Sequence, residues 1–214
     1  MIDNIPYFDG HNDVLLKLLY SKSKNKTKDF LEGNDYCHID FKKIQIANFI
    51  GGFFAIFSPN KDQDFSVVSS KMESESYHLE LPEPISQNSA LDLTMSMISI
   101  LNDIIQKSNN KIVICKNGDE LRNAYMNKKI AIVLHIEGAE AIDRNFYSLE
   151  KLYDLGLRSI GLVWSRPNIF GNGVPFSFPT SPDIGEGLTE FGKRLVKKCD
   201  EKKILIDLSH LNEK

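Results

Sequence analysis

The feature that most constrains this chain is an alternation. Short, almost unbroken apolar runs take turns with segments whose apolar residues recur at helical spacing. A short apolar run bounded by turn residues reads as a strand buried on both faces. A 3.6-residue apolar period reads as a helix with one face on a core. Strand then helix, repeated, selects an α/β architecture with a parallel sheet, because parallel neighbours must be joined by a crossover and a helix supplies it.

The first strand ends near Tyr7-Phe8, and Val14, Leu15, Leu18 and Leu19 then follow helical spacing. Residues 50–57 form the next buried run. The polar stretch 61–88 contains Pro82 and Pro84 and reads as a long excursion or a small hairpin. Ser89 is the expected cap of a helix with Leu91, Met95, Ile98, Leu101 and Ile105 on one face. A short extra strand is expected at 112–115 and a short helix at 119–126. The β-branched run 129–135 predicts a strand ending at Ile136-Glu137-Gly138, and Gly156 is the expected stop of a helix over 148–155. A strand over 158–164, a helix striped by Leu188, Phe191, Leu195 and Cys199, and a strand over 203–210 complete the pattern.

Five main strands result. A TIM-type (β/α)8 barrel needs eight strands and roughly 250 residues. The expectation is therefore a single domain over residues 1–214, a barrel lacking its C-terminal strands.

Hydrophobic residues at 42% and charged residues at 26% suit an ordinary globular core. A net charge of -3 argues against a nucleic-acid or anionic-membrane partner. The basic stretch Lys17, Lys22, Lys24, Lys26 and Lys28 is interleaved with Ser and Asn and reads as a solvated loop. The most apolar run, 47–57, is too short to span a membrane. Residues 1–6 lack the pattern of a signal peptide. Cys37, Cys115 and Cys199 are odd in number and far apart, so reduced thiols in a cytoplasmic protein are expected.

The chemistry-bearing residues fall where strands end. His11 and Asp13 follow the first strand, Glu137 closes the run begun at Lys129, and His210 closes the last. In a barrel these ends converge on the face where active sites are built. Residues i and i+2 of an extended segment point the same way, so His11 and Asp13 can grip one cation. A His-x-Asp pair alone is weak, and a lone strand-end histidine is usually structural. Glu137 is less ordinary, because a carboxylate closing a buried strand must find a partner or a cation. Imidazole and carboxylate together are a composition that zinc accepts. His135 shares the parity of Glu137 but is read as packing beside the site, and His38 and His78 as structural.

At these residues the chain resembles a known family. Asp9-Gly10-His11-Asn12-Asp13 resembles the opening of the renal (membrane) dipeptidase family of zinc metallopeptidases. His38-Ile39-Asp40-Phe41 leading into Gly51-Gly52, Glu137-Gly138, the stretch from Gly156 through Trp164-Ser165-Arg166-Pro167-Asn168 to Gly171-Asn172-Gly173, and Asp207-Leu208-Ser209-His210 resemble its later blocks in order, the bacterial branch most closely. The resemblance implies a binuclear zinc site. His11 and Asp13 would bind the first Zn2+, Glu137 would bridge both as the catalytic carboxylate, and His210 would bind the second. It also implies a further histidine and aspartate from later strands, which this sequence does not include.

The activity implied is hydrolysis of free dipeptides, by one chain or a homodimer. Trp164, Arg166 and Asn168 would contact substrate. Animal members carry a histidine where Trp164 stands, so Trp164 either lines an apolar pocket or covers the barrel end. The 171–176 loop lies beside the pocket or is a surface turn. A barrel deaminase is the weaker alternative, since those open with His-x-His. An inactive fragment of a dipeptidase is the other.

Overall fold

The computed structural model describes residues 5–61 and 65–214. Met1–Asn4, part of the segment read as lacking a leader, lie outside the described residues, as do positions 62–64 of the polar excursion. The strands are β1 (Tyr7–Asn12), β2 (Phe49–Phe57), β3 (Tyr77–Leu79), β4 (Ile112–Ile114), β5 (Ile130–Glu137), β6 (Leu157–Gly161), β7 (Phe176–Phe178) and β8 (Leu205–Asp207). The helices are α1 (Val14–Tyr20), α2 (Lys26–Glu32), α3 (Phe41–Ile46), α4 (Phe65–Met72), α5 (Gln87–Lys107), α6 (Gly118–Met126), α7 (Tyr147–Leu155) and α8 (Glu190–Lys202). They fall into two compact units, one of Met1–Phe57, Asp92–Ile136 and Glu150–Ser159, the other of Ser58–Leu91, Glu137–Leu149 and Ile160–Lys214.

In the first unit β1 pairs with β2 in parallel, β2 neighbours β5, and β4 pairs in parallel with β5. Both faces of β2 are largely covered: Phe49, Phe54, Ala55, Ile56 and Phe57 are buried. So are Ala131, Ile132, Val133, Leu134 and Ile136 of β5. Each large side chain removed from water contributes about 1.5–3 kcal/mol before chain entropy is set against it. Helix α1 adds Leu15 and Leu18. In the second unit β3 forms an antiparallel pair with β7. All three cysteines are buried and unbridged. Burial pushes the Cys115 thiol up to about 11 and the Cys199 thiol up to about 12, so both act as small apolar groups at neutral pH.

The structure corrects several expectations. Neither β6 nor β8 is as long as the apolar runs suggest. Leu162, Val163 and Trp164 lie beyond the end of β6 but are as buried as a strand, and the chain turns after Asp207. Among the described residues of the polar excursion the one strand, Tyr77–Leu79, pairs with the distant Phe176–Phe178 and not within a local hairpin. Helix α5 starts ahead of Ser89, and it is the Ser86 hydroxyl that accepts from the Ser89 N–H at 3.2 Å. The basic stretch is not a solvated loop throughout. Lys26 opens α2, and its ammonium donates to the carbonyls of Leu18 at 2.6 Å and Leu19 at 2.5 Å, closing the end of α1.

Asp40 shows how one polar residue anchors a turn. Its buried carboxylate caps α3 by accepting from the Lys43 N–H at 2.9 Å, and it takes the Lys43 ammonium at 2.6 Å and the Asn34 N–H at 3.3 Å. Burial alone would raise this carboxyl. The bonds from Lys43 and Asn34 outweigh it and hold the group below the usual carboxylate range. A depressed carboxyl stabilises the fold above its unfolded pKa, and that contribution is lost as the pH falls through the folded value. Asp40→Ala is expected to cost about 2–3 kcal/mol in urea unfolding at neutral pH. The deficit should shrink as the pH drops below the carboxylate range.

Candidate metal centre

The first unit carries one imidazole–carboxylate pair. His11 lies near the end of β1, and Asp13 sits at the N-cap of α1 without using its side chain as a cap. His11 Nε2 lies 3.5 Å from Asp13 Oδ1, and both side chains are open to solvent at 38% and 46% exposure. Between them Asn12 points inward. Its Nδ2 donates to Asp9 Oδ2 at 2.9 Å and to the Phe53 carbonyl at 3.2 Å, which fixes the segment and leaves its neighbours facing outward. The His11 ring stands edge-on to His135, with centroids 5.7 Å apart. His135 is buried, and its Nδ1 meets Ser159 Oγ at 2.9 Å. It packs beside the pair, in line with its sequence reading.

Among its described residues the second unit carries an exposed His78–Glu80 contact at 3.7 Å and a more buried pair. Glu137 ends β5, and its Oε1 lies 3.1 Å from His210 Nε2, with side-chain exposures of 16% and 26%. Gly138 follows at φ +85, where a Cβ would come within 2.4 Å of Glu140 Oε2, so only glycine lets the chain turn here. His210 itself has a left-handed backbone at φ 67. Its Nδ1 lies 3.1 Å from Ser165 Oγ. Trp164, 7% exposed, packs edge-on against Phe176 at 5.0 Å and lies 6.1 Å from the His210 ring.

The other expected substrate residues are committed to the protein itself. Arg166 is fully buried. Its Nε and Nη2 donate to Glu140 Oε1 at 3.1 and 2.8 Å, its Nη2 also to the Ser58 carbonyl at 2.8 Å, and its Nη1 to Asn60 Oδ1. Burial pushes the Glu140 carboxyl up, and the Arg166 guanidinium pulls against that rise. Asn168 donates to the Leu162 carbonyl at 2.8 Å and accepts from the Phe170 N–H at 2.8 Å, which ties its own turn together. His38 and His78 are exposed, and His78 meets Ser177 Oγ at 3.2 Å.

Sequence reasoning singled out neither Ser165 nor Glu140. Ser165 stands between two residues that were chosen. Glu140 follows Glu137 by three in a Glu-Gly-Ala-Glu run, a spacing that carries no metal signature of its own. Each pair sets an imidazole nitrogen opposite a carboxylate oxygen, a donor set that fits zinc.

The fold is that of an α/β protein with a parallel sheet. The family model for membrane dipeptidase (peptidase family M19) matches residues 1–214, and the chain belongs to that family. A metallo peptidase from Rhodobacter sphaeroides, solved with a phosphinate mimic of the dipeptide L-Ala-D-Ala, is 42% identical with a TM-score of 0.95 over 99% of this chain and 60% of its own. The solved dipeptidase AC, also a metallo peptidase, is 41% identical with a TM-score of 0.93 over 99% of this chain and 59% of its own. An uncharacterised protein of the PQQ-III 3' region in Acinetobacter calcoaceticus is 40% identical over 211 residues, 99% of this chain and 65% of its own length. The chain thus spans 59–65% of the length of these relatives. Its parallel α/β sheet matches part of a (β/α)8 barrel. Among the described residues no helix is long and apolar enough to cross a membrane.

Proposed function

We propose that this chain forms the N-terminal part of a zinc dipeptidase that hydrolyses the peptide bond of free dipeptides. The observation that carries the reading is the presence, in a member of the dipeptidase family, of two imidazole–carboxylate pairs at strand C-terminal ends. On this reading His11 and Asp13 hold one Zn2+, Glu137 bridges to a second, and His210 completes the part of the second site that this sequence supplies. Zinc bound there would polarise the scissile carbonyl and lower the pKa of a water.

The chain's own residues do the rest. Asn12 keeps the His11–Asp13 segment extended and facing out. Gly138, with φ +85, turns the backbone directly after Glu137. Trp164, backed by Phe176, offers an apolar wall beside His210 for a substrate side chain. Arg166 and Asn168 serve the substrate from behind that wall, since their polar groups are spent on the protein. A cytoplasmic location and a homodimer are part of the same proposal.

A second reading follows from the span of the chain, which covers 60% of a solved relative. On that reading the residues present hold zinc weakly and turn over nothing. Elemental analysis of the purified chain, together with amino-acid release from a dipeptide panel that includes L-Ala-D-Ala, separates the two. Bound zinc with turnover is the expected result for the first. Weak zinc without turnover establishes the second, and turnover undiminished by a chelator overturns the metal assignment.

A further inference from the structure

We infer that Ser165 is a positioning residue that sets the tautomer of His210 in the metal-loaded protein, within a clamp formed by the 171–174 loop; this rests on His210 being a zinc ligand. The observations lie in one unit. Ser165 is fully buried, directly after Trp164, and its Oγ stands 3.1 Å from His210 Nδ1. The opposite ring nitrogen, Nε2, stands 3.1 Å from Glu137 Oε1. Each face of the imidazole is therefore allotted to one partner.

Chemistry decides which nitrogen does what. A histidine can ligate only through an unprotonated nitrogen, and the hydrogen bond made by the other nitrogen determines which one that is. If Nε2 turns to a metal shared with Glu137, Nδ1 must keep the proton. A serine hydroxyl can accept it, and Ser165 Oγ is at the right distance to do so. The ring then cannot rotate without breaking that bond.

The backbone makes the same choice. His210 adopts φ 67, a left-handed conformation that non-glycine residues rarely take. Such a conformation persists where the surroundings enforce it. Here the Val174 N–H donates to the His210 carbonyl at 2.9 Å, and Gly173 bridges to Leu211. Gly173 passes so close that a Cβ on it would lie 2.5 Å from the Trp164 carbonyl oxygen, 2.8 Å from Ser165 Cα and 2.9 Å from the His210 carbonyl oxygen. One glycine thus holds the backbones of Ser165 and His210 at the spacing their side-chain bond needs. The loop read from sequence as either pocket wall or surface turn acquires a specific task.

The test compares Ser165→Ala and Ser165→Thr with the unmodified chain. Zinc affinity is read by competition with a chromophoric chelator, thermal stability by melting, and the His210 ring proton by nitrogen-15 NMR of the zinc-loaded chain. In the unmodified chain the loaded His210 should carry its proton on Nδ1, slow to exchange. Ser165→Ala should lower zinc affinity by about 10–100-fold and speed that exchange, with the melting temperature nearly unchanged, and Ser165→Thr should restore both. Unaltered zinc affinity in the alanine variant overturns the inference. So does a proton on Nε2 in the loaded unmodified chain, which needs no variant to fold. Zinc binding by the unmodified chain without involvement of the His210 ring would instead remove the ligand assignment beneath it.

Discussion

Arg166→Ala should cost the fold about 3–5 kcal/mol, a large stability loss for a single polar truncation. The reason is what stays behind. Glu140 is 6% exposed, its Oε1 receives two guanidinium bonds, and its Oε2 has no hydrogen-bond partner among the described atoms. Removing Arg166 strands that carboxylate and also takes the donors from Asn60 and the Ser58 carbonyl. The carboxyl, already raised by burial, would rise further without the guanidinium. A raised carboxyl favours the fold below its unfolded pKa and disfavours it progressively as the pH climbs through the folded value. The deficit should accordingly be smaller near about pH 5 than near about pH 8, shrinking on acidification as at Asp40, here because protonation removes a stranded buried charge. Urea unfolding at both pH values measures it. Adding Glu140→Gln to Arg166→Ala should recover a good part of the loss, since the buried charge is then gone. A loss of under about 1 kcal/mol for Arg166→Ala would show that water reaches Glu140 and that the ion pair is not a buried one.

The second large effect is on chemistry. In an active form of the enzyme, His11→Ala should lower kcat/KM about a thousandfold or more, because metal polarisation is worth several kcal/mol of barrier. His11 is exposed at the end of β1 and its ring touches His135 without being packed under it. Melting temperature should therefore scarcely move while zinc content falls. Near-normal turnover in that variant would remove His11 from the metal set.

Much of the fold is legible in the residues because burial and periodicity are written locally. The runs at 50–57 and 129–137 became β2 and β5, and Gly156 stops α7 with φ +115. Local signals fail where the decision is made elsewhere. Leu162-Val163-Trp164 is as apolar as a strand but lies past the end of one, and nothing in those residues says that pairing has ceased. Tyr77–Leu79 finds its partner about a hundred residues on, beyond the reach of any hairpin signal. The residues singled out at strand ends meet in two pairs, His11 with Asp13 and Glu137 with His210, although β8 stops at Asp207 and His210 lies in the turn beyond it. Arg166 is expected to contact substrate from the family resemblance alone, and its burial could not be read from the residues around it. The network that occupies it draws on Ser58, Asn60 and Glu140, and sequence spacing gave no reason to join them.

The start of α1 has a consequence for how such a chain can change. Asp13 stands where a helix wants its cap, yet its carboxylate makes no capping bond and faces His11 instead. A side chain that folded back onto the first turn would make a sturdier helix and a poorer ligand. On the proposed assignment of Asp13 to a metal, selection for robustness and selection for metal pull on one position in opposite directions. Across lineages that no longer need the reaction, position 13 should drift toward good caps sooner than the buried core around Leu15 and Leu18 drifts at all.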